Sequence, residues 1–270
     1  MSLSAEYERP DRRERACKYW WFDGWDWLVN RGLGAFGRVS IPLAPGEIAI
    51  DPHVHSLYSH CSISHPERII RRAMSLGLSG VAVIDHNVVT GGNQTVLCAD
   101  YLKGKGVIPE GFVAIPGTEV NTTRGHIGAL FVTTQIRGAR PPADTVKEIH
   151  DAGGLAVAVH PYHSTGIGDA IYEAPFDLIE TDCGSVFSES QVRRNTALVE
   201  EERLASVPKI GGSDAHYVRA VGTCYTLIEG VESATLESIK FAMKEGRCAP
   251  QRSAPYRRLQ RLLGGVPKLK

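Results

Sequence analysis

The sequence predicts an α/β fold, either a barrel or an open sheet. From residue 47 to residue 246, short apolar strand patterns alternate with helix patterns, which is typical of α/β proteins. The segment 80–85 is wholly apolar up to Asp85, as expected for a strand that a parallel sheet buries on both faces. Histidines and acidic residues follow several of these strands, at the ends where such folds bind their ligands.

Capping residues and glycines set the boundaries of the predicted elements. Ser64, Pro66 and Glu67 form the pattern of a capping box, and the helix that they open runs through Met74 and ends near Gly77. The other predicted helices are 92–102, 142–152, 188–206 and 233–245. The predicted strands are 48–53, 80–85, 112–119, 126–132, 155–160, 177–180 and 209–214, with 221–228 as an extra edge strand.

The composition is that of a globular protein with a full core. Of the 270 residues, 43% are hydrophobic and 22% are charged, and the formal net charge is zero, so the chain as a whole has no attraction for nucleic acid or a membrane surface. The sequence shows no signal pattern and no apolar run of membrane-spanning length. The six cysteines are scattered without a Cys-x-x-Cys pair, which indicates reduced thiols. We therefore expect a cytoplasmic protein without a membrane partner.

We expect an N-terminal extension (residues 1–45), a barrel domain (46–252) and a basic C-terminal tail (253–270). All four tryptophans lie between Trp20 and Trp27, and rings of this size need a partner surface, so the extension docks on the body or on a second subunit of a homo-oligomer. The Gly-x-Gly-x-x-Gly pattern at 32–37 lacks a preceding strand and a following helix, which excludes a dinucleotide fingerprint. The tail is a solvated terminal helix or a weak nucleic-acid anchor.

The segment 49–60 is the centre of the predicted site. His53 and His55 follow an apolar strand at a spacing of two, so their imidazoles point to the same side. Imidazole is the commonest protein ligand for zinc and iron. We expect His60 to fold back over these two histidines from the loop, and Asp51 to hydrogen-bond a ring N–H and fix its tautomer.

Histidines and carboxylates at other strand ends extend this site, because the carboxyl ends of parallel strands meet at one rim. The candidate metal ligands are His53, His55, His60, His86, Glu119, His126, His160, Asp214 and His216. Two or three divalent ions would leave such a pocket positively charged and suited to a phosphate. The histidine-rich set favours zinc, manganese or iron over magnesium.

Several further residues have open assignments. His65 and His150 fall in helical stretches, where we expect them to be solvated. His163 lies in a rim loop, where it could contact a substrate. Arg219 and Arg124 could each bind a phosphate through a forked guanidinium, or each could form a surface ion pair.

Six motifs together resemble the polymerase and histidinol phosphatase (PHP) superfamily, over about residues 47–252. The first is Asp51-x-His53-x-His55 with His60. The others are Ile-Asp-His-Asn at 84–87, Pro-Gly-Thr-Glu at 116–119, Gly-His-Ile at 125–127, Val-His-Pro at 159–161 and Gly-Ser-Asp-Ala-His at 212–216. They occur in the order that is found in the family. The resemblance implies a distorted (β/α)₇ TIM-like barrel that hydrolyses phosphoesters with metal ions.

The resemblance also implies a role for each matching residue. One metal would be held by His53, His55, Glu119 and Asp214. Glu119 would bridge this ion to a second one, which His126 and His160 would hold. A third would be held by His60, His86 and His216, although many members carry aspartate at the position of His60. Glu119, Asp214 and His216 are therefore the expected catalytic residues, and Asp51 and Asp85 are expected to support the ligands from behind.

The substrate is expected to be a phosphomonoester or a small nucleotide, and exonuclease action on short oligonucleotides is the alternative. An amidohydrolase-type C–N hydrolase also begins with His-x-His, but it typically bridges its metals with a lysine where this chain has Glu119. A non-catalytic metal-binding module is a third interpretation, which the intact ligand set opposes. No Ser-His-Asp or Cys-His arrangement stands out in the sequence, so a metal-activated water is the expected nucleophile.

Overall fold

A computed structural model describes residues 41–186 and 188–253. The tryptophans of the N-terminal extension and residues 254–270 of the basic tail lie outside the described residues, so the predictions made for them stay predictions. In the described part of the chain, no helix is both long enough and apolar enough to cross a bilayer.

The described residues form nine strands in one sheet, whose order is β7-β6-β5-β4-β3-β2-β1-β8-β9. The pairs β1–β2, β2–β3, β5–β6 and β6–β7 are parallel, and the pairs that involve β4 or β8 are antiparallel. The strands are β1 (Glu47–Val54), β2 (Gly80–Val83), β3 (Val113–Asn121), β4 (His126–Leu130), β5 (Leu155–Ala158), β6 (Leu178–Cys183), β7 (Lys209–Gly212), β8 (Cys224–Glu229) and β9 (Cys248–Arg252).

The sheet curls into a nearly closed barrel. The hydroxyl of Thr226 in β8 donates to the carbonyl of Gly211 in β7 (2.8 Å). Beyond the end of β7, the Ser213 hydroxyl donates to the carbonyl of His53 (3.2 Å), and the His55 N–H donates to the carbonyl of Ala215 (2.9 Å). One core cluster takes buried side chains from each of the strands β1 to β8, as expected when strands enclose a common interior. The barrel prediction is confirmed, but the described sheet has nine strands where the resemblance implied a (β/α)₇ barrel.

Five α-helices lie among the described residues: α1 (Pro66–Leu76), α2 (Thr90–Gly104), α3 (Pro142–Asp151), α4 (Glu189–Ala197) and α5 (Leu236–Lys244). Buried residues of α1 and α2 pack with β1 and β2, and those of α3 pack with β4 and β5. Helix α5 begins with a capping box between Thr235 and Ser238. Helices α1, α2 and α3 thus cover faces of the sheet, whereas buried residues of α5 belong to the cluster that the strands β1 to β8 share.

Some element boundaries and neighbours differ from the predictions. The N-cap of α1 is His65, not Ser64: its ring nitrogen accepts from the Glu67 N–H, and Gly77 ends the helix at a φ of 84°. Helix α4 ends at Ala197, and only the short 3₁₀ turn Glu202–Leu204 follows it before β7. Strand β8 is not an edge strand, because it pairs with both β1 and β9. The hydrophobic pattern did not predict β9.

Candidate metal centre

The rim of the barrel brings eight of the nine predicted ligands together. Strands β1, β2, β3, β5 and β7 end in, or lead directly to, histidines and carboxylates. His126 opens β4, which runs antiparallel to β3 and β5, so the first residue of β4 meets the last residues of its neighbours. The ligands that converge are His53, His55, His86, Glu119, His126, His160, Asp214 and His216.

Glu119 lies at the centre of this cluster and is fully buried. Its Oε1 lies 2.9 Å from His126 Nδ1 and 3.2 Å from His160 Nε2. Its Oε2 lies 3.2 Å from His86 Nδ1, 3.3 Å from His55 Nε2 and 3.7 Å from His53 Nε2. Burial opposes ionisation, but the imidazoles hold the pKa of this carboxyl well below its usual range. Each oxygen therefore faces a different group of histidines, as a bridging carboxylate would.

Asp214 supplies the second carboxylate. Its Oδ1 lies 3.0 Å from His55 Nε2 and 3.3 Å from His53 Nε2, and its Oδ2 accepts from the Ser185 hydroxyl. The pKa of Asp214 is also well below its usual range, because His53 and His216 outweigh the effect of burial. The backbone carbonyl of Asp214 lies 2.9 Å from His216 Nδ1. When that nitrogen carries the proton, Nε2 of His216 is left free as a ligand atom.

The donor set fits divalent metal ions. Six buried side-chain atoms at this rim make no hydrogen bond of acceptable geometry within the described part of the chain, although several of them lie within 4 Å of a carboxylate oxygen or ring nitrogen of the cluster. Unpaired buried polar atoms are costly and need an explanation, and coordination of an ion supplies one. These atoms are Nε2 of His53, Nδ1 of His55, His86, His126 and His160, and Oε2 of Glu119. Possible ligand atoms lie within 4.8 Å of one another in several overlapping groups that share His53, His55, His86 and Glu119.

Glu180 on β6 is a residue of the site that the sequence did not reveal. Its Oε1 lies 3.0 Å from Nδ1 of His53, and its Oε2 accepts from the backbone N–H of His160 (2.9 Å). A carboxylate behind a ligating histidine fixes the tautomer and the ring orientation. Glu180 follows a strand pattern without any histidine beside it, so no motif marked it. The only available signal was an acidic residue at the end of an apolar strand.

Asp51 and Asp85 hold the backbone rather than imidazole rings. Asp51 accepts from the backbone N–H groups of Ser213 (3.0 Å) and Gly222 (2.8 Å), and burial raises its pKa to about 6. Asp85 accepts from the backbone N–H of Ser56 (2.6 Å), and burial raises its pKa to about 7. The prediction that Asp51 binds a ring N–H is therefore wrong. These two residues support the site by fixing the loops that carry its ligands.

The loop after β1 presents Cys61 to the cluster where His60 was expected. The side chain of His60 is exposed, and its ring centroid lies 5.4 Å from that of His86. Cys61 is half-buried, and its sulfur belongs to the group formed with His55, His86 and His216. Burial tends to raise the pKa of this thiol, but hydrogen bonds with His216 and His86 lower it to about 6. Neighbouring side chains in a turn point in different directions, so the choice between His60 and Cys61 was not readable from spacing.

The predicted substrate-binding residues lie around the rim with different surroundings. His163 is half-buried, and its ring stands 5.2 Å from that of His160. Arg124 is exposed and lies 3.6 Å from Glu173, which is the surface ion pair of the alternative interpretation. Arg219 is exposed on the 3₁₀ turn Val218–Ala220, shortly after His216.

Two histidines outside the cluster have partners of their own. His65 is buried as the N-cap of α1, so the expectation that it is solvated is wrong. His150 is exposed as expected, and its ring lies 2.8 Å from Asp177. Neither residue adds a ligand to the rim.

Comparison with known proteins gives matches over much of this chain. Residues 202–248 match the PHP-associated family. An uncharacterised protein of Methanocaldococcus jannaschii is 32% identical over 142 residues, which are 48% of this chain and 78% of that protein. A two-domain protein of Bacteroides vulgatus, described as containing a predicted PHP-like metal-dependent phosphoesterase, superposes with a TM-score of 0.62 at 18% identity, over 82% of this chain and 73% of its own.

A second solved structure has the same fold. The lesion-specific endonuclease of Pyrococcus furiosus superposes with a TM-score of 0.54 at 18% identity, over 73% of this chain and 56% of its own length. At these identities the structural likeness establishes the architecture of the barrel.

Proposed function

Since the chain belongs to the PHP superfamily, we propose that it is a metal-dependent phosphoesterase acting on phosphomonoesters or small nucleotide phosphoesters. The observation that carries this proposal is the position of Glu119, whose two oxygens lie within 3.7 Å of nitrogen atoms from five histidines. A buried carboxylate in such surroundings is suited to joining adjacent cations. It belongs to a centre of two or three divalent ions.

The ligands divide into overlapping sets around Glu119. His53, His55 and Asp214 form one set, and Glu119 forms others with the pair His53 and His160 and with the pair His86 and His126. Bound divalent ions would acidify a water nucleophile and offset the negative charge of a phosphoryl group. Zinc, manganese and iron(II) fit this histidine-rich set better than magnesium does.

The residues of the chain prepare the site for an anionic substrate. Glu119 and Asp214 are held ionised by their histidine neighbours, so both carboxylates are ready to bind cations at neutral pH. Glu180 fixes His53, and the Asp214 carbonyl fixes His216, so these rings need little reorganisation on binding. Arg219, exposed shortly after His216, is the candidate for binding the phosphate from the rim.

The proposal is tested with metal-depleted protein reconstituted separately with Mn²⁺, Zn²⁺ or Fe²⁺. Each form is assayed on phosphorylated metabolites, on short end-labelled oligonucleotides and on a panel of C–N bond substrates. We expect metal-dependent release of phosphate from monoesters or mononucleotides. Stepwise shortening of the oligonucleotides would instead identify an exonuclease.

Matched variants show whether any activity belongs to this site. Glu119→Gln should abolish turnover, whereas Glu237→Gln, the same change at an exposed position of α5, should leave it unchanged. Cleavage of C–N bonds alone would contradict the proposal. So would tight metal binding without turnover of any phosphoester in the panel, which is the outcome expected of a non-catalytic module.

A further inference from the structure

We propose that Cys61 is a thiolate ligand of the metal centre and completes, with His86 and His216, the metal position that the sequence assigned to His60. This inference rests on the proposed metal centre. It adds a sulfur ligand to a site otherwise made of nitrogen and oxygen, and it therefore concerns which metal this position selects.

The first support is the grouping of possible ligand atoms. The sulfur of Cys61 and one ring nitrogen each from His55, His86 and His216 all lie within 4.8 Å of one another. The rings enclose a small volume, since the ring centroid of His55 lies 4.7 Å from that of His86 and 4.4 Å from that of His216. Four donors at such separations are close enough to share one ion.

The second support is that some of these donors lack another partner. The buried Nδ1 atom of His55 makes no hydrogen bond among the described residues. Nδ1 of His86 makes none either, although it lies 3.2 Å from Glu119 Oε2. Nδ1 of His216 lies against the Asp214 carbonyl, which leaves the opposite ring nitrogen available. A purely structural histidine cluster would be expected to satisfy its buried nitrogens.

The third support is the turn that places Cys61. The Ser62 hydroxyl lies within hydrogen-bonding distance of the carbonyls of His55 (2.9 Å) and His216 (3.0 Å). The loop that carries Cys61 is therefore held next to these two histidines. The Ser59 hydroxyl lies 3.1 Å from the Cys61 sulfur. The turn thus fixes Cys61 on the inner side and leaves His60 exposed.

A thiolate changes the metal preference of the position. Soft sulfur ligands favour zinc, iron(II) and similar ions, whereas manganese and magnesium prefer oxygen ligands. We therefore expect this position to retain Zn²⁺ or Co²⁺ in competition with Mn²⁺, and to lose part of that preference when sulfur is replaced by oxygen in Cys61→Ser.

Cobalt(II) spectroscopy tests the ligand directly and does not depend on activity. A cobalt–thiolate bond produces a charge-transfer band in the near ultraviolet that imidazole and carboxylate ligands do not produce. The full-length protein is reduced, freed of metal and loaded with Co²⁺ without oxygen, and bound cobalt is measured by elemental analysis. We expect the band in the wild type and its loss in Cys61→Ser, with loss of about one ion per chain.

Three variants serve as controls. Cys183→Ser removes a buried thiol near His53 and Glu180, and Cys248→Ser removes a half-buried thiol whose contacts are with Lys209 and Met243. Both should keep the band, and so should His60→Ala. Loss of the band in Cys183→Ser, or loss of both band and ion in His60→Ala, with Cys61→Ser unaffected, would overturn the proposal.

Alkylation of the wild type gives a second measurement that needs no variant. Iodoacetamide followed by peptide mapping should label Cys61 in the metal-free protein and much less in the Zn²⁺ form, while labelling of Cys248 stays the same. Stoichiometric cobalt without a charge-transfer band or protection would refute the role of Cys61 and leave the phosphoesterase proposal intact. Failure to bind any metal would refute both.

Discussion

Glu180 Oε1 lies 3.0 Å from His53 Nδ1, and both side chains are buried inside the barrel rim. Through its other oxygen, Glu180 also accepts from the backbone N–H of His160, so it connects a histidine of β1 with one that follows β5. The pKa of His53 lies well above its usual range, because Glu180 and Asp214 together outweigh the effect of burial. Glu180 thus holds two parts of the candidate metal site, the ring of His53 and the backbone of His160.

We predict that Glu180→Gln weakens metal binding by about 10–100-fold, the usual effect of losing such a supporting carboxylate. The amide keeps the size of the side chain, but it cannot accept hydrogen bonds through both terminal atoms. Zinc dissociation constants from chelator competition provide the measurement. A variant with a lower Tm and an unchanged zinc affinity would show a role in stability alone.

Gly212→Ala is expected to disturb the contact between Glu180 and His53 by steric overlap. A Cβ at Gly212 would stand 2.4 Å from Glu180 Oε1 and 2.6 Å from His53 Cβ, and the second contact lies next to the β1 backbone. We expect a loss of roughly 1–3 kcal/mol in unfolding free energy together with weaker metal binding. Gly104→Ala, where no atom lies within 4 Å of the added Cβ, is the control in a urea titration and should not destabilise the protein.

Glu119→Gln is expected to cost more turnover than any single histidine replacement. It removes one of the two acidic ligands, and the uncompensated charges of adjacent divalent ions, roughly 3.5–4 Å apart in two-metal sites, would then repel each other. The variant should lose at least one ion and remain folded, because the barrel core lies away from the rim. Metal content and turnover are compared with those of His60→Ala and His216→Ala. Full metal content in Glu119→Gln, with loss of metal in His216→Ala, would rule out a bridging role; His60→Ala, whose side chain is exposed, should keep its metal.

Metal affinity should rise with pH. Burial disfavours the charged form of His216, but the Asp214 carboxylate outweighs it and raises the pKa of His216 to about 9, so in the metal-free protein the ring is protonated at neutral pH. A metal can bind only the deprotonated ring. Zinc affinity should therefore increase by up to about tenfold per pH unit for each proton displaced. Calorimetry in buffers of different ionisation enthalpy measures the proton release, which His216→Gln should reduce.

The raised pKa of His216 also predicts that the stability of the metal-free protein depends on pH. Stability should fall as the pH rises, whereas metal affinity should increase. His216 has a higher pKa in the folded metal-free protein than its ordinary value of 6.5. Its contribution to stability is therefore fully present below about 6.5 and is lost as the pH rises through about 9. Urea unfolding of metal-free protein across this range should show the decline, and metal-loaded protein should not. The thiol of Cys61, whose pKa is lowered to about 6, contributes in the opposite direction over this range. The measurement is therefore repeated in Cys61→Ser, where a flat profile would mean that Asp214 does not stabilise the imidazolium.

A stability control away from the site is the capping box of α5. Thr235 Oγ1 accepts from the Ser238 N–H (3.0 Å), and the Thr235 N–H donates to Ser238 Oγ (2.9 Å). Thr235→Ala should lower the unfolding free energy by about 1 kcal/mol. Metal stoichiometry, measured in parallel, should not change; a change would connect α5 to the rim.

The convergence of residues at the candidate metal site was largely predictable because its signals are local. The spacing of His53 and His55 and the strand patterns before Glu119 and Asp214 placed these residues at one rim, and the structure brings them together. The resemblance added the barrel and the order of the motifs. Each of these predictions depends on residues a few positions apart. Over such a distance, the spacing of residues along a strand determines the side to which their side chains point.

The missed features depend on contacts between distant residues. Glu180 is 127 positions from His53, and nothing in its own segment indicates that it faces an imidazole. Asp51 instead accepts from Ser213 and Gly222, because the barrel closes beside it. The side chain that the turn presents to the cluster, Cys61 rather than His60, depends on the Ser62 hydroxyl, which lies within hydrogen-bonding distance of the carbonyls of both His55 and His216. Tertiary contacts decide each of these cases.

The closure between β1 and the end of β7 also has a consequence for the folding pathway. His55 and Asp214 are separated by 159 positions, and Asp51 and Ser213 by 162, so the metal site cannot assemble until nearly the whole described barrel has formed. Closing so long a loop is entropically unfavourable and tends to occur late. A metal that binds only after this step stabilises the native state without accelerating its formation. Its kinetic effect falls on the unfolding rate, and chelation should shorten the lifetime of the folded chain.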